Sequence, residues 1–272
     1  NHENSFDVLK KNFLEFINNL PFYGLCFLNI NDINTKSIIS KVSRPVKTFG
    51  IDISADYKAK SINFDSIPSK YLYFENEKEY EIRLNMPGHY NASNSLAALA
   101  VCRELGVPIK TIQKAIENFP GISRRFEVIG NFQVNNNFFT WIDDYGHHPS
   151  EMKEVIETIN KVWANRRVIT VFQPHRYSRT AEHFNQFVDI LKNVQNLILM
   201  DIYPANEKPI ENITSEALVA EIKKYKVNVV LLNSEKELSD YINMIIKDKD
   251  ILLTMGAGNI SKFVNYYKNT LN

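Results

Sequence analysis

The stretch Asp143-Asp144-Tyr145-Gly146-His147-His148-Pro149 decides the reading of everything around it. Upstream, Phe138-Phe139-Thr140-Trp141-Ile142 is aromatic and β-branched, the composition of a buried strand. Downstream, Pro149 suits the first position of a helix, where its missing N–H costs nothing. Two carboxylates, a phenol and two imidazoles are therefore predicted in a turn from strand to helix. In an open parallel sheet that turn lies at the carboxyl edge, where ligands bind. A single acid before a helix reads as a cap. Two acids and two histidines together exceed what capping requires.

On the C-terminal side, strand and helix alternate regularly. Met152, Val155, Ile156 and Ile159 share one face of a helix that runs to Trp163. Strands follow at 168–172, 197–200, 229–232 and 251–255, with helices from about Thr180, at 218–224, at 238–246 and from Ile260. The spacing predicts a doubly wound, Rossmann-like α/β domain with a mostly parallel sheet, its strand order not legible. Further carboxyl-edge loops carry functional groups. In Gln173-Pro174-His175-Arg176-Tyr177-Ser178-Arg179-Thr180, Arg176 and Arg179 are spaced to grip one carboxylate or phosphate. Gly256-Ala257-Gly258-Asn259 reads as a tight turn more readily than as a phosphate loop. Asp201-Ile202-Tyr203-Pro204-Ala205 adds a loop without an assigned role.

On the N-terminal side, 126–133 and 138–143 form a hairpin about Asn135-Asn136-Asn137. Pro120-Gly121 breaks the chain ahead of Ser123-Arg124-Arg125-Phe126, placing a domain boundary near Ile122 and giving domains 1–122 and 123–272. The paired arginines are either a phosphate clamp or solvated surface charge. Earlier still, Phe6, Leu9, Phe13, Phe16, Ile17 and Leu20 recur at helical spacing, with Ser5 placed to cap and Pro21 to end the run. A strand at 24–30, a short helix at 35–42 and a strand at 46–51 set a β-α-β rhythm. Residues 56–84 alternate as a small antiparallel meander turning at Asn76-Glu77-Lys78. A small-residue helix then follows Gly88 and ends at Gly106, and a second runs over 109–118. Asn91 and Asn94, three apart at its opening, serve either as caps or as readers of a purine edge, since an amide offers donor and acceptor together.

Composition narrows the functions. A formal net charge of +1 supplies no field for nucleic acid or anionic membrane. No apolar run approaches the roughly 18 residues of a membrane span, so no insertion is expected. Cys26 and Cys102 lie far apart in apolar segments and read as buried reduced thiols of a cytoplasmic protein. None of the nine glycines is followed by lysine, so the chain carries no Walker A loop, and no Gly-x-Ser-x-Gly elbow occurs. His147 and His148 are adjacent and point apart, with no third ligand at metal spacing, so no metal site is expected here. The opening Asn1-His2-Glu3-Asn4 is neither a signal peptide nor a start methionine, and the chain reads as part of a longer protein whose N-terminal portion is missing.

Several of these stretches together carry a family resemblance. Leu20-Pro21-Phe22-Tyr23-Gly24, Pro87-Gly88-His89-Tyr90-Asn91 with Asn94, Ser123-Arg124-Arg125-Phe126, residues 143–149, residues 172–180 and Gly256-Ala257-Gly258-Asn259 resemble the Mur ligases over nearly the whole chain, and the 172–180 run resembles their alanine-adding branch. The resemblance implies a truncated α/β ATPase-type domain, its P-loop part absent, followed by a complete C-terminal domain. It implies ATP-dependent amide formation through an acyl phosphate, with Mg2+ on the phosphates and UDP-N-acetylmuramic acid and L-alanine as substrates, in peptidoglycan precursor synthesis; a fragment without the P-loop is expected to be inactive alone. By position, Asn91 and Asn94 match adenine contacts, Arg125 a nucleotide contact and Asp144 the ribose-holding acid. Tyr145, His147, His175, Arg176 and Arg179 match the amino-acid pocket, with His147, His175 and Arg125 in catalytic roles. His2 stands near the family's metal-binding histidine but out of register with it, and Asn206 replaces a family glycine. A murein-peptide ligase, a nicotinamide-binding oxidoreductase domain and a non-catalytic remnant are the alternatives.

Overall fold

The computed structural model describes residues 2–271, with side-chain surroundings from Phe6 onward. It divides into two compact units between Pro120 and Gly121. His2 and Ser5 lie outside the described side chains. Elements are numbered in chain order.

The first unit contains α1 (His2–Asn18), β1 (Cys26–Asn29), α2 (Ile33–Ile38) with a 3-10 turn at Ile39–Lys41, β2 (Val46–Ile51), β3 (Tyr57–Asn63), β4 (Ser69–Glu75), β5 (Lys78–Leu84), α3 (His89–Glu104) and α4 (Ile109–Glu117). Since α1 already runs through Ser5, that residue is not its cap. The strands form one sheet in the order β1-β2-β3-β4-β5, parallel through β3 and antiparallel beyond it. The meander thus extends the parallel half, with Ala59 of β3 pairing Ile51 on one side and Tyr73 on the other. Its turn works because Asn76 and Glu77 both take positive φ, 49° and 62°, matching the twist of the strands they join. Tyr71, Tyr73, Ile82 and Leu84 alternate inward and pack against Ala92, Leu96, Leu99 and Ala100 of α3, whose small residues permit close approach. Cys26 and Cys102 are free but only half-buried, which corrects the expectation of buried thiols: each packs against a core cluster without being enclosed by it.

The second unit contains β6 (Glu127–Val134), β7 (Asn137–Asp144), α5 (Pro149–Val162), β8 (Val168–Phe172), α6 (Tyr177–Glu182), α7 (Phe184–Leu191), β9 (Asn196–Leu199), α8 (Ser215–Lys223), β10 (Asn228–Leu231), α9 (Glu235–Ile245), β11 (Asp250–Met255) and α10 (Ile260–Leu271). The helix after β8 begins at Tyr177, ahead of the expected Thr180, because the chain turns sharply at Arg176 (φ 73°). The sheet order is β10-β9-β8-β11-β7-β6, parallel except for the β6–β7 hairpin, which turns on Asn135 and Asn136 at positive φ. Met152, Val155 and Ile159 of α5, Phe187 and Leu191 of α7 and Leu218 and Ile222 of α8 cover one sheet face. Leu238 and Ile242 of α9 and Ile260, Phe263 and Tyr267 of α10 cover the other, with Trp141 at their centre. Phe138 is the exception to the buried-strand reading; at the start of β7 it is 56% exposed.

This winding fixes where a ligand fits. β11, last in sequence, sits between β7 and β8. The chain leaves β7 and β8 toward one face and leaves β11 toward the other. Crevices therefore open on both sides of β11 at the carboxyl edge, bordered by residues 145–148, 173–176 and 256–259.

Candidate functional site

Neither acid at the end of β7 caps α5. His148 does so, its Nδ1 accepting from the Ser150 N–H while the Glu151 carboxylate accepts from the His148 N–H. That frees both aspartates for other work, and both are buried. Asp143 accepts from Arg124 Nε at 2.8 Å and from Thr254 Oγ1 at 2.6 Å. Arg124 Nη2 also donates to the Gly256 carbonyl at 2.5 Å, so one guanidinium ties the start of the hairpin to the ends of β7 and β11. Asp144 accepts the Phe126 N–H at 2.7 Å and the Gly146 N–H at 2.6 Å. A Cβ on Gly146 would stand 2.7 Å from Asp144 Oδ1, which is why the turn needs glycine. Burial dominates both acids. It raises Asp143, against the opposing pull of Arg124, and raises Asp144 to about 6 despite its two backbone donors.

A row of rings and cations runs along this edge. The Arg125 guanidinium lies 5.4 Å from the Tyr145 ring centre, with Arg124 at 5.3 Å. Tyr145 meets His147 edge-on at 5.3 Å, His147 meets His175 at 5.7 Å, and His175 stacks on Tyr203 at 5.4 Å. Arg179 Nη1 reaches His175 Nδ1 at 3.2 Å. His147 is oriented by its Nδ1 contact to the Tyr145 carbonyl at 3.0 Å. Burial, and then the nearby His147 and guanidinium charges, lower His175 below the usual histidine range; burial and His183 do the same to His148. The two adjacent histidines do point apart, His148 making its ring contact with His183 at 4.6 Å.

Arg176 and Arg179 do not converge. Arg176 Nε is 3.9 Å from Glu207, whose carboxylate is also bonded to Ser178, whereas Arg179 turns to His175. The positive φ of Arg176 rotates its side chain out of the helical register on which the grip was argued. The Gly256 loop is a packing turn. A Cβ at Gly258 would lie 2.5 Å from Gln173 Oε1 and 2.6 Å from Tyr203 Cβ. Buried Gln173 clasps this loop, donating to Asn259 Oδ1 at 2.5 Å and accepting the Ile260 N–H at 2.8 Å. Asn206, at φ 68°, adopts the left-handed turn that glycine would otherwise supply.

In the first unit, neither Asn91 nor Asn94 caps α3; its N-cap is Gly88. Asn91 is buried and donates to the Pro87 carbonyl at 2.8 Å, while Asn94 is exposed. Sequence reasoning paired Arg124 with Arg125 without separating their roles, and missed Glu151, Gln173 and Tyr203. Glu151 was findable as the third helical residue after a cap, whereas Arg124, Gln173 and Tyr203 act through contacts distant in sequence.

The family description "Mur ligase middle domain" matches residues 1–102, and "Mur ligase, glutamate ligase domain" matches residues 124–258. The chain belongs to the Mur ligases. Among curated Mur ligases, the UDP-N-acetylmuramate–L-alanine ligase of Vesicomyosocius okutanii is 41% identical over 267 residues, covering 95% of this chain and 56% of that protein. The enzyme of the same name from Hydrogenovibrio crunogenus is 36% identical, covering 98% and 58%. The chain thus spans just over half the length of the curated relatives it matches. Among solved Mur ligases, the UDP-N-acetylmuramate–alanine ligase of Thermotoga maritima superposes with a TM-score of 0.66 at 24% identity, covering 87% of this chain and 55% of that one. A Thermotoga maritima MurF ligase in complex with ADP gives 0.69 at 15% identity, covering 95% and 56%. Membership in the Mur ligases displaces the oxidoreductase reading of Gly256-Ala257-Gly258. No helix among the described residues is long and apolar enough to cross a membrane. Among the described residues no three His, Cys, Asp or Glu side chains converge as a metal cage.

Proposed function

We propose that the chain is the nucleotide- and amino-acid-binding portion of an enzyme that joins L-alanine to UDP-N-acetylmuramic acid at the expense of ATP. The observation that carries this reading is the continuous row Arg125, Tyr145, His147, His175 and Arg179 at the carboxyl edge of the second unit. ATP, with Mg2+ held on its phosphates, supplies activation of the muramoyl carboxylate as an acyl phosphate. The chain's own groups then handle the incoming amino acid. Arg179 receives its α-carboxylate, and Arg176 adds positive charge from the same loop. His175, with its lowered affinity for protons, is neutral at pH 7 and takes the proton released as the amine attacks, with His147 fixing the amine's direction. Arg125, half-exposed and held by the Tyr145 ring and a 3.9 Å ion pair to Glu151 rather than by a buried carboxylate, is available to the nucleotide in a way that Arg124 is not. Asn94 presents a whole amide to the adenine edge, and Asn91 keeps its oxygen and one N–H for the same purpose. Asp144 retains one lone pair on each oxygen for a ribose hydroxyl while holding the turn together.

The test is amide formation by a polypeptide that joins this chain to a P-loop-bearing half. Arg179→Lys keeps the charge and removes the planar fork. It is expected to raise the Michaelis constant for alanine about tenfold, roughly 1.4 kcal/mol, while leaving that for ATP unchanged. Alanine amide, lacking the carboxylate, is expected to be a poor substrate. Loss of ATP affinity with alanine untouched would assign the loop to the phosphates instead.

A further inference from the structure

The sheet of the second unit ends in two unlike edges. At β6 the register shifts between Val128 and Gly130, and a bulge of this kind twists an edge away from further pairing. At β10 the strand runs in unbroken register with β9, and no strand among the described residues covers its outer side. The run Val227-Asn228-Val229-Val230-Leu231-Leu232-Asn233-Ser234 holds no charge and no proline, the residues that commonly guard an exposed edge.

The hydrogen bonding shows what this edge offers. The Leu232 N–H donates to the Leu199 carbonyl of β9 at 3.0 Å. Parallel pairing alternates, so Val230 also bonds toward β9, while Val229 and Leu231 turn their N–H and C=O outward. Beside them a groove of about 570 Å3 runs between β10 and the outer flank of α8. Val219 and Ala220 line its middle, with Glu216 a helical turn before them and Lys223 a turn after. Both charged side chains are exposed. The groove is therefore apolar along its length, with a carboxylate at one end and an ammonium at the other.

We propose that β10 is the docking edge for a second copy of this chain, the two strands pairing antiparallel about a two-fold axis at Val230. The edge is complementary to itself in that arrangement. Val229 of each copy lies opposite Leu231 of the other, so the outward N–H and C=O groups of both residues find partners. Val230 meets its own symmetry mate, a β-branched pair on the opposite face of the sheet. The same axis sets the two α8 helices side by side and head to tail. Each Glu216 then faces the other copy's Lys223, with Val219 and Ala220 closing the groove between them. This match of charge selects a second copy over an unrelated extended peptide, which would pair with the strand but leave the ends of the groove unanswered. The surface is independent of the amide-forming reading above.

The test is sedimentation velocity of the full chain at low salt, joined to hydrogen exchange at the Val229 and Leu231 amides above and below the midpoint of association. A dimer is expected, and in it both amides exchange about tenfold more slowly or less, since a laddered amide exchanges only on opening. Glu216→Lys sets like charges together at both ends of the interface and is expected to weaken association about tenfold, roughly 1.4 kcal/mol. Lys223→Glu is expected to do the same. The double variant Glu216→Lys with Lys223→Glu restores opposite charges across the axis and is expected to regain the wild-type affinity. Unchanged far-ultraviolet circular dichroism establishes that each variant is folded. A chain that stays monomeric, a dimer whose Val229 and Leu231 amides exchange as fast as the monomer's, or a double variant that associates no better than the single ones would each overturn the proposal.

Discussion

At Asp144, burial and hydrogen bonding pull in opposite directions, and burial prevails. Its folded carboxyl holds a proton to about pH 6, whereas an unfolded aspartate releases it near pH 3.9. Between those values the folded state binds more protons, so this group's contribution to stability is fully present below about pH 4 and is lost as pH rises through 6. A displacement of about two pH units corresponds to roughly 3 kcal/mol. Asp143 acts in the same sense, while the lowered His148 and His175 act oppositely, adding stability as pH rises through their titration. The prediction is therefore a difference. Asp144→Asn is less stable than wild type at pH 4, and the gap narrows by up to about 3 kcal/mol by pH 7 in urea unfolding; a gap independent of pH would refute it. Arg124 gives a second residue-scale expectation. Arg124→Gln leaves Asp143 buried without its cation, and an uncompensated buried charge costs about 3–5 kcal/mol. Arg125→Gln, at a half-exposed side chain with a ring contact to Tyr145 and a long ion pair, is expected to change stability by less than about 1 kcal/mol in the same experiment. The sequence could not distinguish these neighbours. Both follow the same turn, and only the fold shows that the positive φ of Arg124 (59°) sends it inward to Asp143.

Between neighbouring elements, the sequence was informative wherever the signal was local. Alternation in 71–74 and 80–84, the Asn-rich turns and Pro149 each report on a few adjacent residues, and strands and helices fall near their expected bounds. Caps were harder, because several polar residues compete for one position. At α5 the winner is a histidine, a less common choice than the aspartates beside it. Replacing His148 with Ala is expected to lower stability by about 1 kcal/mol, and His148→Asn, which keeps a side-chain acceptor, to restore most of it. Equal stabilities in thermal unfolding would show that the cap contributes nothing. The Gly256 turn was ambiguous for a related reason. Whether a Gly-x-Gly cradles phosphate or admits a neighbour depends on what approaches it, and here Gln173 and Tyr203 come from other parts of the chain.

For the molecule as a whole, each unit has its own apolar core, built on Tyr71 and Leu96 in the first and on Trp141 and Phe172 in the second. The row of groups at the second unit's edge is proposed to bind and orient, but nothing in the 272 residues resembles the Gly-Lys loop that cradles a transferring phosphoryl group. The polypeptide by itself is accordingly expected to release no phosphate from ATP above a denatured control, and measurable turnover would contradict that. Strand order was the one global property the sequence withheld, because pairing β11 between β7 and β8 is decided by contacts far apart in the chain. That insertion has a temporal side. About eighty residues separate the end of β8 from the start of β11, so at roughly 5–20 residues per second a ribosome takes on the order of 4–16 s to supply the missing strand. Throughout that interval β7 and β8 each present an unzipped apolar edge, open to mispairing with other nascent chains. The two sides of the crevice thus come together only once residues 250–255 have been made, and a message cut short before residue 255 would yield a sheet with its keystone missing.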